Sequence, residues 1–163
     1  MATTGIARAQ TVTPAVIGPV STQSGFQYWY LACFPDCIVA VRQGIGAFFA
    51  FGLLNGAVPG IFGALGALIN VLVKGRAQDF RSRTEADLHR ATVARLRVKG
   101  NILYSISQVK LLTFKNTKLG GSLILPDITI ETANGKKQKY GVLRADFDKA
   151  CDQLKQIYPQ LCR

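Results

Sequence analysis

A run of 31 consecutive residues without a formal charge, residues 43–73, constrains this chain more than any other feature. Runs longer than about 18 residues are candidates for a membrane-spanning helix. Large apolar side chains cover every face of a helical projection of this run, whereas a surface helix of a soluble protein would keep one polar side. They are Phe48, Phe49, Phe51, Leu53, Leu54, Ile61, Phe62, Leu65, Leu68, Ile69, Val71 and Leu72. The run predicts a segment within a membrane, with a buried helix pair in a soluble core as the alternative.

The length of the run and one proline predict that it is divided. A single helix would reach roughly 46 Å at about 1.5 Å per residue, well beyond a hydrocarbon core of roughly 30 Å. Pro59 lacks the amide hydrogen that a helix needs, and it follows Asn55 and Gly56. We therefore expect two short helices, 43–55 and 59–74, that form a hairpin. Arg42 and Lys74 flank the run, so both ends are expected on the cytoplasmic side.

Glycines within the run provide a candidate surface for helix packing. Gly52, Gly56 and Gly60 are spaced four residues apart, and Gly63 follows. On one helix, glycines at this spacing form a flat strip that another backbone can approach closely. The strip allows two interpretations, which are self-assembly through a glycine zipper and packing of the two hairpin arms on each other.

The basic excess of the chain lies mainly beyond this run. Lys and Arg number 20 against 9 Asp and Glu, which gives a net charge of +11. Residues 1–50 contribute one of these eleven net charges and residues 51–163 contribute ten. The apolar content of 48% excludes a disordered basic tail, and four cysteines are too few for a disulfide-rich miniprotein of this length.

The remaining sequence predicts one β domain in two parts. Residues 1–24 are rich in Thr, Ser, Ala and Pro, which predicts a flexible N-terminal arm. Residues 25–42 contain two β-prone runs, 26–34 and 37–42, which a Pro-Asp turn separates. Residues 75–92 have the composition of a basic helix next to the membrane. Residues 93–163 then predict strands at 93–98, 102–114, 122–132 and 137–143, with an Asn-Gly hairpin turn at 134–135, and an amphipathic helix at 145–158.

This order of elements resembles the pleckstrin-homology-like fold, particularly its small bacterial versions. The residues that carry the resemblance are the stretch 101–111, NILYSISQVKL, and the closing helix that contains Asp146 and Phe147. The resemblance implies an α+β fold, in which a split antiparallel sheet or barrel of the pleckstrin-homology-like type is closed by the C-terminal amphipathic helix. The hydrophobic helical hairpin, 43–74, is an insertion that this family does not require.

The sequence offers little support for catalysis. His89 is the single histidine, and it lies beside Arg90 on the charged helix, where a solvated surface histidine is expected. Cys33, Cys37, Cys151 and Cys162 do not have the spacing of structural zinc sites. No glycine-rich phosphate-binding loop follows a strand. We therefore expect no catalytic residue, no metal and no cofactor, and predict that the chain is not an enzyme.

The basic residues are better candidates for binding to anionic headgroups, which attract such clusters by about 1 kcal/mol per charge near the surface. Positive charge that merely sets the orientation in the membrane is the alternative. Nucleic acid is not an expected partner, because no recognition helix or aromatic-lined basic strand is present. The candidates are Lys74, Arg76, Arg81, Arg83, Lys110, Lys115, Lys118, Lys136, Lys137 and Lys139.

Together these features predict a membrane protein whose basic β domain lies on the cytoplasmic side. Its predicted function is that of a non-catalytic, membrane-anchored module of the pleckstrin-homology-like type, which contacts anionic lipid headgroups or a protein partner. The alternative is a structural role, either as an accessory subunit of a larger membrane complex or as a homo-oligomer assembled through the glycine zipper.

Overall fold

The computed structural model describes residues 13–22, 27–44, 63–116 and 125–163, and within residues 63–73 only the helical backbone. In these parts of the chain, three strands are followed by two α-helices, four further strands and a C-terminal α-helix. The strands are β1 (Ala15–Thr22), β2 (Tyr28–Cys33), β3 (Cys37–Gln43), β4 (Ile102–Ser105), β5 (Val109–Lys115), β6 (Asp127–Thr132) and β7 (Lys137–Val142). The helices are α1 (Gly63–His89), α2 (Val93–Leu96) and α3 (Arg144–Ile157), and a short 3₁₀ turn, Ile106–Gln108, precedes β5.

The described strands form one antiparallel sheet in the order β4-β3-β2-β1-β7-β6-β5. β1 lies at the centre and pairs with both β2 and β7. Strands β1, β3 and β6 run in the same direction. Their last residues, Thr22, Gln43 and Thr132, therefore lie at the same end of the sheet, which we call the groove end because a groove opens there, as described below. The predicted α+β class, antiparallel sheet and C-terminal helix are confirmed.

The first core fills one face of the sheet and is closed by α3. Phe147, Ala150, Cys151 and Leu154 are buried on this helix, and their spacing places them on one face. They pack with inward-facing strand residues, among which Leu112 is fully buried. Because these apolar residues recur at helical spacing, the sequence alone predicted this helix to within about one residue at each end.

A second core covers the other face of β2 and β3. Tyr30 and Val39 pack there against Leu88 of α1 and Leu96 of α2. β2 and β3 are therefore buried on both faces. This explains why their sequences are continuous apolar runs, since a strand with one solvated face would alternate apolar and polar residues.

Helix α1 differs from the predicted boundary between a hairpin arm, 59–74, and a separate basic helix, 75–92. It is one continuous helix of 27 residues that begins at Gly63. None of the helices in the described parts of the chain is long and apolar enough to cross a membrane. The predicted first arm, 43–55, begins within β3, which extends to Gln43. The remainder of the predicted hairpin, 45–62, lies outside the described residues, and the inserted hairpin is not confirmed.

Three further elements differ from the sequence prediction. Residues 15–22 form β1 where a flexible arm was expected, and a shift in register between Ile17 and Val20 accommodates Gly18 and Pro19 within the strand. The predicted strand 93–98 contains the short helix α2, whose first turn is capped by the Thr92 hydroxyl. In addition, the single strand predicted at 102–114 is divided into β4 and β5 by the 3₁₀ turn.

Candidate functional site

A groove of about 510 Å³ opens at the groove end of the sheet, between β4 and the β6–β7 hairpin. Its volume falls within the range of about 300–1,000 Å³ that is usual for ligand sites. Apolar residues from β4 and β6 line one part of the groove, and polar and basic residues of the hairpin line the rest. The lining residues are Ile102, Leu103, Tyr104, Gln108, Ile130, Thr132, Asn134, Lys136, Lys137 and Gln138.

The β6–β7 turn is held in one conformation by its own hydrogen bonds. Asn134 Oδ1 lies 2.6 Å from the Thr132 hydroxyl and accepts the backbone amide hydrogen of Lys136 at 3.2 Å. Gly135 follows with φ of 81°, in the left-handed region that glycine adopts without strain. The predicted Asn-Gly hairpin turn is confirmed. Its geometry presents Lys136 and Lys137 at the rim of the groove.

Tyr104, which lines the groove, forms a hydrogen bond with a second tyrosine. Tyr104 Oη lies 2.8 Å from Tyr140 Oη, and both side chains are buried. Burial raises the pKa of Tyr104 and of Tyr140, so both phenols are neutral at physiological pH. Because each hydroxyl already has the other as a partner, the hydrogen bond holds Tyr104 in place. The pair adds no charge to the lining of the groove.

Positive charge at the rim is only partly compensated. Glu131 lies 3.0 Å from Lys137 Nζ and 3.4 Å from Lys110 Nζ. The hydrogen bond from Lys137 is the main cause that lowers the pKa of Glu131, so this carboxylate is ionised at neutral pH. Within the described part of the chain, Lys136 makes no ion pair, and its side chain is exposed. Lys136 therefore carries the uncompensated charge at the rim.

The other predicted basic residues are distributed over separate surfaces. Lys74, Arg76 and Arg83 are exposed on α1, whereas Lys115 and Lys139 are exposed on β5 and β7. The structure thus brings together Lys110, Lys136 and Lys137, but not the full set of predicted headgroup residues. Gly63 is the first residue of α1. Lys118, Gly52, Gly56 and Gly60 lie outside the described residues.

Arg81 is the predicted headgroup residue whose position fits that role least. Its guanidinium lies 2.7 Å from Glu85 and 2.8 Å from Asp146, which joins α1 to α3. Burial alone would lower the pKa of Arg81, but the hydrogen bonds to Asp146 and Glu85 outweigh it and raise the pKa. The side chain is only 24% exposed. We therefore interpret Arg81 as a structural residue that connects two helices.

Helix α1 is anchored to the sheet at its C-terminal end. His89 Nδ1 lies 2.9 Å from the carbonyl oxygen of Pro14, which precedes β1 at the end of the sheet opposite the groove. This contact places the C-terminal end of α1 beside the start of β1. Lys74 and Arg76 lie about 20 Å along the helix from His89 at 1.5 Å per residue. Residues 45–62 connect this helix to Gln43, which lies at the groove end.

The described residues contain no constellation suited to metal binding, since no group of three potential ligands comes together among them. The ring of His89 contacts the carbonyl oxygen of Pro14, which joins α1 to the residue just before β1. The cysteines are free thiols. Cys33, Cys37 and Cys151 are buried, whereas Cys162 is partly exposed.

These thiols should differ in reactivity. Burial raises the pKa of Cys33 to about 12, and that of Cys37 and Cys151 to about 11. Each unit above the ordinary value reduces the reactive thiolate about tenfold at a given pH below the pKa. At pH 8 we expect iodoacetamide to modify Cys162 first and Cys33 last, as followed by mass spectrometry.

Two controls make this labelling order a test of the fold. The Cys162→Ser variant should lose the early modification, and all four thiols of the wild-type chain should react in concentrated guanidinium. Modification of Cys33 as early as that of Cys162 in the folded protein would contradict the burial of β2.

Sequence reasoning identified the lysines at the rim but missed the apolar residues of the groove. Ile102, Leu103 and Tyr104 were assigned to one long strand, 102–114, and Ile130 to the strand 122–132. The signal that could have revealed the groove is the Ser105-Ile106-Ser107 sequence, in which two hydroxyl residues interrupt the apolar run. Ser105 Oγ and Ser107 Oγ lie 2.9 Å apart at the turn that separates β4 from β5.

Comparison of the chain with protein-family models, curated proteins and solved structures finds no match. The function is therefore inferred from the fold, the groove and the charges of the chain itself. These define an α+β protein with an antiparallel sheet, a C-terminal helix and a groove with a partly basic rim.

Proposed function

We propose that this protein is a non-catalytic, membrane-anchored binding module of the pleckstrin-homology-like type, which contacts anionic lipid headgroups. One observation carries the proposal. Lys136 and Lys137 lie at the groove end of the sheet, and the uncharged segment after Gln43 leaves the sheet at this same end. A membrane that accepted this segment would therefore face the groove and its basic rim.

The pleckstrin-homology-like part of this proposal rests on the order of the elements. The family resemblance implies an antiparallel sheet closed by a C-terminal helix, and the chain has seven described antiparallel strands followed by α3. The stretch that carries the resemblance, 101–111, covers β4, the 3₁₀ turn and the start of β5. Asp146 and Phe147 lie in the first turn of α3, with Phe147 in the core.

The exposed cations of α1 support the membrane attachment. Leu88, near the C-terminus of α1, packs in the second core against β2 and β3. Residues 63–74 form roughly the first 18 Å of the helix, at about 1.5 Å per residue. Lys74 and Arg76 are exposed where the uncharged run ends. Basic residues at such a boundary favour the interface with anionic lipid.

Flotation of the full chain with vesicles tests both parts of the proposal. We expect the wild-type protein to float with phosphatidylcholine vesicles, and to partition more strongly when phosphatidylserine is added. Lys74→Glu, Arg76→Glu and Lys136→Glu in one variant should reduce this anionic preference by roughly tenfold or more, at about 1 kcal/mol per charge near the surface. Flotation with neutral vesicles should persist, because the uncharged segment is unchanged.

A matched control separates location from total charge. Arg90, Lys115 and Lys149 are exposed, and Arg90 lies next to His89 at the opposite end of the sheet. Changing these three residues to Glu alters the net charge by the same amount and should leave the anionic preference largely intact. An equal loss in both variants would contradict a directed headgroup surface, and recovery of the wild-type chain in the soluble fraction without detergent would contradict the membrane anchor.

A further inference from the structure

The two margins of the sheet differ in whether their backbone is covered. At β5, the amide of Leu112 donates to the carbonyl of Leu161 at 2.7 Å, and the amide of Arg163 donates to the carbonyl of Leu112 at 3.1 Å. The C-terminal residues thus cover this margin. At the other margin, β4 pairs with β3 on one side, and no described strand pairs with its other side.

The register shows which backbone groups of β4 point outward. Tyr104 lies opposite Ile38, and the amide of Ile106 donates to the carbonyl of Asp36 at 2.9 Å. In antiparallel pairs, hydrogen-bonded and non-hydrogen-bonded residues alternate. Tyr104 and Ile102 therefore bond to β3, whereas the backbone groups of Leu103 and Ser105 point away from it. An unpaired edge of this kind is a template for another strand.

This free edge forms one wall of the groove. Leu103, which is 39% exposed, lines the groove together with Ile102 and Tyr104. The opposite wall is the β6–β7 hairpin, which contributes Lys136 and Lys137. An extended segment in the groove would thus have backbone partners on one side and cations on the other.

We propose that the groove binds an extended, acidic segment of a partner protein, which adds to β4 as a further strand. Main-chain hydrogen bonds to Leu103 and Ser105 would hold the segment, and carboxylates on it would pair with Lys136. Charge complementarity favours such a partner over a second copy of this chain, because each copy carries a net charge of +11. Lys137 already shares Glu131, so Lys136 supplies most of the attraction.

This inference goes beyond the contact with lipid headgroups. It uses the edge of β4, which headgroup binding does not require, and it holds for the chain in detergent as well as in a bilayer. Failure of the flotation experiment would therefore not contradict strand addition at β4. Failure of strand addition would likewise not contradict the membrane attachment.

A defined peptide tests the proposal on the full chain in a neutral detergent. The probe is a fluorescein-labelled peptide of about ten residues in which valine and glutamate alternate, a pattern with one apolar and one acidic face in a strand. We expect saturable binding by fluorescence anisotropy. Amide exchange should slow at Leu103 and Ser105, whereas Tyr104, already paired with β3, should change little. A peptide with lysine in place of glutamate should not bind.

Variants at one position separate the backbone from the side chain. Leu103→Pro removes an outward amide hydrogen, which an edge strand tolerates because the ladder to β3 does not use it. It should weaken binding about tenfold, as expected for the loss of a main-chain hydrogen bond. Leu103→Thr keeps the amide and should bind more tightly than Leu103→Pro. Lys136→Gln should also weaken binding, whereas Lys115→Gln, which is remote from the groove, should not.

A modified peptide keeps the test decisive if Leu103→Pro does not fold. Two peptides are made, one N-methylated at its odd positions and the other at its even positions, so that each lacks the amide donors of one edge. One of the two should not bind the wild-type chain. Equal binding of both methylated peptides, or unchanged exchange at Leu103 and Ser105, would overturn the proposal. If phosphatidylserine vesicles but not the peptide slow amide exchange at residues 134–137, the groove binds lipid instead. If amide exchange in β4 slows with protein concentration alone, the edge of β4 binds a second copy of the chain.

Discussion

Replacing Gly18 by alanine should lower the free energy of unfolding by about 3 kcal/mol, as expected for overpacking together with backbone strain. Gly18 has φ of 154°, which side-chain-bearing residues rarely adopt. A Cβ at this position would lie 2.6 Å from Cδ1 of Tyr30, whose ring is fully buried between the sheet and α1. Because the ring cannot move outward, the strand would have to shift.

Denaturant unfolding of the full chain in detergent, followed by fluorescence, measures this effect. Trp29 is the single tryptophan, and it is buried in the first core. Gly75→Ala is the matched control, since a Cβ at Gly75 would meet nothing within 4 Å. In the exposed interior of α1, alanine should stabilise the helix by up to about 1 kcal/mol. A Gly18→Ala variant as stable as the wild type would contradict the packing of Tyr30 against β1.

The elements predicted best from sequence are those that local patterns determine. The β2–β3 hairpin follows from two apolar runs around Pro35 and Asp36, and the β6–β7 turn follows from Asn134 and Gly135. Helix α3 follows from one apolar stripe. In each case the signal and the element lie within the same few residues, so no knowledge of distant contacts is needed.

The elements that the sequence did not reveal depend on contacts between distant residues. β1 contains Gly18 and Pro19, which normally interrupt a strand, and it is stabilised by pairing with β2 and β7. Its tolerance of these residues depends on Tyr30, whose ring occupies the space that a side chain at Gly18 would need. Neither the central position of β1 nor this contact can be inferred from residues 15–22 alone.

The same distinction applies to the candidate site. Lys136 and Lys137 were predicted as binding residues because they follow a recognisable turn, and the structure places both at the rim of the groove. Arg81 has the same charge and was predicted for the same role, but its partner Asp146 lies 65 positions away in the sequence. A count of basic residues cannot distinguish an arginine that joins two helices from a lysine that is available to a ligand.

Two tyrosines that are both fully buried should respond in opposite directions to the loss of a hydroxyl. The Tyr158 hydroxyl donates to the carbonyl of Phe34 in the β2–β3 turn, and it lies 3.2 Å from the carbonyl of Cys37. The Cys37 carbonyl also accepts the amide hydrogen of Phe34 at 2.8 Å. Tyr158→Phe would therefore leave mainly the Phe34 carbonyl without this partner. The free energy of unfolding should fall by about 2 kcal/mol.

The hydroxyl of Tyr30 has no hydrogen-bond partner among the described residues. Burial is the main cause that raises its pKa, so the group remains neutral and contributes a desolvation cost to folding. Tyr30→Phe removes this cost and should stabilise the protein by about 1 kcal/mol. Because the two variants remove the same atom from equally buried rings, the difference of about 3 kcal/mol between them measures hydrogen bonding with little change in packing. The same denaturant unfolding measures both variants. If the free energy of unfolding changed in the same direction in both, the two hydroxyls would have equivalent surroundings, contrary to the structure.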